Sequence, residues 1–290
     1  MSEEKGVLRR ILYLIIGLFV AVSMQLANYM FTSITSLNAV TVDSPTRRII
    51  IAAVWSVIAA LVVLIARLRP AETFRLLTIR HRSQSWVLPV NTLLCFIGGI
   101  CLNRMTTFII GILPLSDKVL QENSGAVSSA MESNSGIIII ISTYIVAPLF
   151  EELIYRGSAF YCLENVFDGK GGYIFAFVST TVLFSLAHSG VLQMTYAFVI
   201  GAIFCLISRF AGSIIPAIAA HVGFNLGNLM LYAIIEGRDD TTQIVVNVAC
   251  GIILIIAAAA MSVTCGFIRE REELPPEPGE DSIYLNEEDK

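Results

Sequence analysis

The chain has 290 residues, 56% of them hydrophobic and only 14% charged, with a mean hydropathy of +0.75. Soluble domains average about 25% charged residues, so the composition excludes a water-exposed globule. The formal net charge of -4 sits in segregated blocks, and no basic patch with interleaved aromatics occurs. Nucleic-acid binding therefore has no support.

Apolar runs of roughly 20 residues recur along the chain, and each can cross a hydrocarbon core about 30 Å thick. In chain order, eight membrane helices are expected, over residues 8–31, 49–66, 86–113, 137–165, 171–188, 191–209, 213–235 and 243–267. The fold class is thus all-α and polytopic. The first run follows a basic start, MSEEKGVLRR, but outlasts the roughly 7–15-residue apolar stretch of a signal peptide and ends on no small-x-small site. It is expected to stay as a membrane helix. The run 137–165 exceeds one straight span and contains Pro148, which predicts a kink or an extension beyond the bilayer. The helices at 171–188 and 191–209 have almost no polar loop between them.

These elements divide the chain into four regions. Residues 1–136 form a three-helix membrane part with a Ser- and Asn-rich external loop at 114–136. Residues 137–235 form a central membrane core, and 236–267 a final transmembrane helix. Residues 268–290 include REREELPPEPGE, acidic and proline-containing, which cannot bury enough apolar surface to fold and is expected to be a disordered cytoplasmic tail. No internal repeat is present.

Orientation follows from loop cations. Twelve lie on one side (Lys5, Arg9, Arg10, Arg67, Arg69, Arg75, Arg80, Arg82, Lys170, Arg209, Arg269, Arg271) against four on the other (Arg47, Arg48, Lys118, Arg238). Both termini are accordingly expected in the cytoplasm, with the plasma membrane as the location. All six cysteines (Cys95, Cys101, Cys162, Cys205, Cys250, Cys265) fall in apolar runs without a C-x-x-C pair. That is packing usage rather than a disulfide framework or zinc ribbon.

An ionisable group inside a membrane helix is costly and by default a functional candidate. The expected helices hold Arg104, which stands alone, together with Glu151, Glu152, Arg156, His188 and His221. In A-P-L-F-E-E-L-I-Y-R-G (147–157), Glu152 and Arg156 are four apart and share a face, where they can pair. Glu151 is turned about 100° away. One reading makes all three a structural ion lock; against it stands the second acid, since one arginine needs only one carboxylate. His188 closes its helix in F-S-L-A-H-S-G, with Phe184 one turn earlier. Alone it reads as an interfacial residue. His221 and Asn225, in A-A-H-V-G-F-N, share a face and can form an interhelical hydrogen bond, with Gly223 and Gly227 permitting close packing.

Together the set carries more chemistry than its parts. A carboxylate and one imidazole can hold and deprotonate water. A second imidazole and a carboxamide can donate to the oxyanion of a tetrahedral intermediate. Such a set fits hydrolysis in a dry pocket.

E-E-x-x-x-R at 151–156, F-x-x-x-H at 184–188 and H-x-x-x-N at 221–225 resemble the three signature motifs of the CPBP family, the CAAX-protease and bacteriocin-processing (Abi) proteins. Their eukaryotic member is the Ras-converting CAAX endopeptidase. The resemblance covers about residues 137–232 and shows no departure within the motifs. It implies an intramembrane endopeptidase acting on a membrane-associated, prenylated or peptide substrate. By the resemblance, Glu151 is the general base acting with His188, and His221 and Asn225 form the oxyanion hole. Glu152 and Arg156, with Phe184, support the site or bind the substrate's carboxyl end.

The family has been described both as metalloproteases and as glutamate proteases without metal. Glu151, His188 and His221 also match a His₂Glu zinc shell, whereas the zincin motif H-E-x-x-H is absent. Asn225 is a poor zinc ligand and a good oxyanion donor, so the expectation is no cofactor, with zinc the alternative. No G-x-S-x-G supplies a serine site, and Cys162 has no basic neighbour within a turn. Two other classes stay open: a non-catalytic immunity or scaffold protein retaining the motifs, and a proton-coupled transporter. The absence of an inverted repeat weighs against the transporter.

Overall fold

A computed structural model describes residues 2–37, 86–116, 141–188, 190–235 and 237–272, and all regular structure among them is helical. Two long helices come first, α1 (Ser2–Leu37) and α2 (Val87–Ile112). A segmented rod follows: a wide π turn (Ser142–Val146), α3 (Ala147–Glu152), a second π segment (Leu153–Ala159) and α4 (Phe160–Glu164). The chain continues through α5 (Gly169–Leu186), α6 (Val191–Ala211), α7 (Ile215–Ile235) and α8 (Asp240–Glu272).

Seven of the eight expected helices fall on described residues, apart from 137–140, and are helical over most of their length. The one expected at 49–66 and most of the loop at 114–136 lie outside them. Four segments among the described residues are long and apolar enough to cross a membrane: Gly6–Ser23, Val87–Ile112, Val191–Ala211 and Asp240–Thr264. Ile215–Gly227 is apolar but shorter. The other helices fall short for a physical reason. The rod is cut into short pieces and carries Glu151, Glu152 and Arg156, and α5 opens on the polar turn G-K-G-G.

Two boundaries correct the sequence reading. The segment expected as one long helix, kinked at Pro148 or extended beyond the bilayer, is wound loosely on both sides of α3. Pro148 sits at the first turn of α3, where its missing N–H leaves no intrahelical bond unmade. The disturbance is spread over two π segments rather than concentrated at the proline. At the other end α8 runs on to Glu272, so the first residues expected in the disordered tail are helical. The remainder of that tail lies outside the described residues.

The exterior is apolar and the polar groups are inside. Leu93 is 60% exposed and Ile255 72%, whereas Glu152 is 0% and Arg156 3% exposed. This inverts the water-soluble pattern. It suits a hydrocarbon surround, in which each helix satisfies its own backbone and charged side chains turn inward.

Burial alone does not bring such helices together in lipid, so close backbone approach and polar contacts do it. Along α2 and α7 the contact runs through glycines. A Cβ at Gly99 would collide with the carbonyl of Ala220, and one at Gly223 with the carbonyl of Phe96. α8 covers another side of α2, tied by the buried Thr264 hydroxyl, which donates to Asn91 Oδ1 at 2.6 Å. α1 lies against the rod: Gly17 faces Leu163, and the Tyr155 hydroxyl donates to the Ala21 carbonyl at 3.2 Å. Two core clusters result. One joins α1 to the rod, α5 and α6 (Val20, Ala21, Tyr155, Phe184, Ala197), and the other joins α2, α6 and α7 (Cys95, Phe204, Ala220, Phe224). Arg156 and His221 sit between them, each against Phe184 of the first and Phe204 of the second.

Candidate active site

Three helical segments deliver the motif residues to one place. The rod supplies Glu151 and Glu152, α5 ends beside His188, and α7 presents His221 and Asn225 one turn apart. Glu151, Phe184, His188, His221 and Asn225 all line a single cavity of about 200 Å³. Glu152 and Arg156 do not line it. They lie behind its wall, fully buried.

That buried pair is a lock with three attachments. Arg156 Nη1 donates to Glu152 Oε1 at 2.8 Å, and Nη2 donates to the Gly201 carbonyl on α6 at 2.8 Å. The guanidinium lies over the Phe184 ring, 4.3 Å from its centroid. Gly201 is what admits it, because a Cβ there would press on both the Phe184 ring and Nη2. The lock extends to α7: His221 Nδ1 stands 2.9 Å from the same Glu152 oxygen. An arginine-paired carboxylate accepts, so Nδ1 carries the hydrogen and the other nitrogen, Nε2, faces Glu151 Oε2 at 3.7 Å. The imidazole is further held by the Phe204 ring, 4.8 Å away and tilted 32°.

His188 is oriented by its own helix. Its Nδ1 lies 2.8 Å from the Phe184 carbonyl; a carbonyl only accepts, so Nδ1 carries a hydrogen, and in the neutral ring Nε2 has the lone pair. The ring also packs edge-on to Phe184 at 4.8 Å. Phe184 thus touches both histidines and the arginine at once. The helix end carrying His188 is pinned to the start of α6 by the Ser185 hydroxyl, which donates to the Met194 carbonyl at 2.7 Å.

The sequence reading gave Glu152 its arginine. Histidine as a second partner, with the two residues 69 apart in sequence, is visible only once α7 packs on the rod. Placement behind the wall also bears on the expected contact with a substrate's carboxyl end: as the site stands, the guanidinium faces Glu152, Gly201 and Phe184. Gln193, Tyr196 and Phe204 were missed. The signal for the first two was present, as polar positions three apart in the apolar run of α6. Arg104 remains apart from the site, with no hydrogen-bond partner for its Nε.

Zinc is the group the family resemblance brings into question. No set of three His, Cys, Asp or Glu side chains among the described residues is arranged to hold a metal ion. His221 directs one nitrogen at Glu152, and the other falls beside Glu151. As they stand, Glu151, His188 and His221 do not form a ligand shell.

The family model for the type II CAAX prenyl endopeptidases, Rce1-like, matches residues 133–227, a span that holds every motif residue. No curated protein and no solved structure matches the chain. The match supports a CAAX-protease family assignment and, with the four apolar helices, an integral membrane protein.

Proposed function

Because residues 133–227 match the family model of the type II CAAX prenyl endopeptidases, we propose that the chain is an intramembrane endopeptidase of that family. Its substrate is a membrane-associated, prenylated CAAX-type peptide or protein, and it cleaves by water activation without a metal. The observation carrying this reading is that Glu151, His188, His221 and Asn225 face one cavity while the charge lock stands behind it.

In this mechanism Glu151 accepts a proton from water as the oxygen attacks the scissile carbonyl, and the Nε2 lone pair of His188 accepts a hydrogen bond from the same water. The carbonyl oxygen becomes an oxyanion, to which His221 and Asn225 donate. His221 in its donating form carries hydrogen on both nitrogens, one on Glu152 and one toward the cavity. Collapse breaks the C–N bond, and the proton held by Glu151 passes to the leaving amine. Glu152 and Arg156 touch no reacting atom. They hold the His221 ring in place.

A lock without catalysis accounts for Glu152, Arg156 and half of His221. It gives no reason for Glu151, His188 and Asn225 to share the cavity. The cation distribution of the loops puts both termini in the cytoplasm, and the plasma membrane is the proposed location. The test is turnover of a farnesylated CAAX-type peptide by purified protein, beside Glu151→Gln. Glutamine keeps the size and polarity but cannot take the proton, so cleavage should vanish while the protein stays folded. Cleavage retained by the variant removes Glu151 as the base.

A further inference from the structure

The α6 wall of the cavity carries polar groups that the proposed chemistry does not use. Gln193, Tyr196, Ala197 and Ile200 line it along one face of α6. Tyr196 packs on Phe224 of α7 at 6.4 Å between ring centroids. Among the described residues neither the Gln193 carboxamide nor the Tyr196 hydroxyl has a protein hydrogen-bond partner. The neighbouring Thr195, which faces away, bonds the Val191 carbonyl of its own helix. In an apolar helix, uncommitted polar groups are costly unless something in the cavity meets them.

A peptide substrate presents the matching need. Proteins that bind extended peptides commonly add them to a sheet edge, whose backbone supplies the main-chain hydrogen bonds. No strand occurs among the described residues, so they offer no sheet edge, and helix backbones have groups to spare only at their ends. A peptide drawn into this cavity leaves water, so those of its N–H and C=O groups that do not meet the free ends of α5 and α6 must find side chains. The row from Gln193 to Ile200 rises about 10 Å at 1.5 Å per residue, the length of about three residues of extended chain at roughly 3.3 Å each. A carboxamide can both donate to a peptide C=O and accept from a peptide N–H.

From this geometry we infer that Gln193 and Tyr196 read the main chain of the substrate beside the scissile bond, with Gln193 the principal contact. They are specificity-determining residues acting on an extended peptide backbone, and Ala197 and Ile200 continue the same face as an apolar floor beyond them. The inference rests on the peptidase reading above and adds the binding mode to it.

The experiment uses full-length protein and a farnesylated CAAX-type peptide, as an all-amide form and as a set N-methylated at one amide each. In Gln193→Leu the KM for the all-amide peptide should rise about 2- to 13-fold, the loss of a neutral hydrogen bond, with kcat nearly unchanged. Gln193→Met, which keeps the chain length, should do the same. One N-methylated peptide should already have the raised KM in wild type and show no further rise in either variant. KM unchanged in both variants, or raised equally for every peptide, overturns the inference. Binding of the same peptides to the Glu151→Gln protein, with and without Gln193→Leu, needs no turnover. Position-specific loss of binding there upholds the inference even if wild type proves unable to cleave. Equal binding with turnover intact overturns it and leaves the protease reading standing.

Discussion

Glu152 Oε1 is shared by two groups from different parts of the chain, the Arg156 guanidinium at 2.8 Å and the His221 Nδ1–H at 2.9 Å. One oxygen of a fully buried carboxylate thus joins a local helical pair to a helix 69 residues further on. The shared oxygen makes the charge lock part of the site, because whatever fixes Arg156 also fixes the ring of His221.

Arg156→Ala should therefore harm the fold more than Glu151→Gln does. Removing the guanidinium leaves a buried carboxylate without its cation, at a cost of about 3–5 kcal/mol. Glu151 lines the cavity, where glutamine is tolerated. Expression yield and thermal unfolding in detergent compare the two, and equal values would mean that the Glu152–Arg156 pair carries no stability.

His221→Ala and Asn225→Ala should each lower turnover by roughly a hundred- to a thousandfold, about 2.7–4 kcal/mol for a lost oxyanion donor. Asn225→Ala is the cleaner of the two, because His221→Ala also strips Glu152 of a partner. The prediction is read in kcat. An effect confined to KM in Asn225→Ala would move that residue from the oxyanion to substrate binding.

Activity should survive thorough chelation. The His221 ring is held by Glu152 on one nitrogen, so zinc binding at Glu151, His188 and His221 would need that site to rearrange. Elemental analysis of purified protein, with chelation and zinc add-back, decides it. One zinc per chain with activity tracking its content would make those three residues the ligands and overturn Glu151 as the base.

Gly223→Leu should damage the site without touching it. A side chain there meets the Phe96 carbonyl and forces α7 away from α2, and overpacking of this kind typically costs about 1–3 kcal/mol. Since His221 and Asn225 flank this position on α7, turnover should fall together with thermal stability. Gly111→Leu is the control, because a Cβ there meets nothing within 4 Å. Equal stability of the two variants would show that the α2–α7 contact tolerates separation.

The sequence by itself determined the membrane class, the helical fold and which residues are candidates for the site. Those follow from local rules. Apolar runs fold as helices because lipid gives a backbone nothing else to bond, and charges are so unfavourable there that Glu151, Glu152, Arg156, His188 and His221 stood out. Pairs four apart, such as Glu152 with Arg156, were legible because one helical turn makes them neighbours. What only the tertiary structure decided is how separate helices meet. That Glu152 also holds His221, that Gly201 leaves room for Arg156, and that α6 brings Gln193 and Tyr196 to the cavity are relations between helices. They depend on the rotation of each helix about its axis, which the glycine contacts of α2 and α7 and the π turns of the rod set. No periodicity within one helix encodes that rotation relative to another, so the residues were readable in advance and their division into a cavity wall and a lock behind it was not.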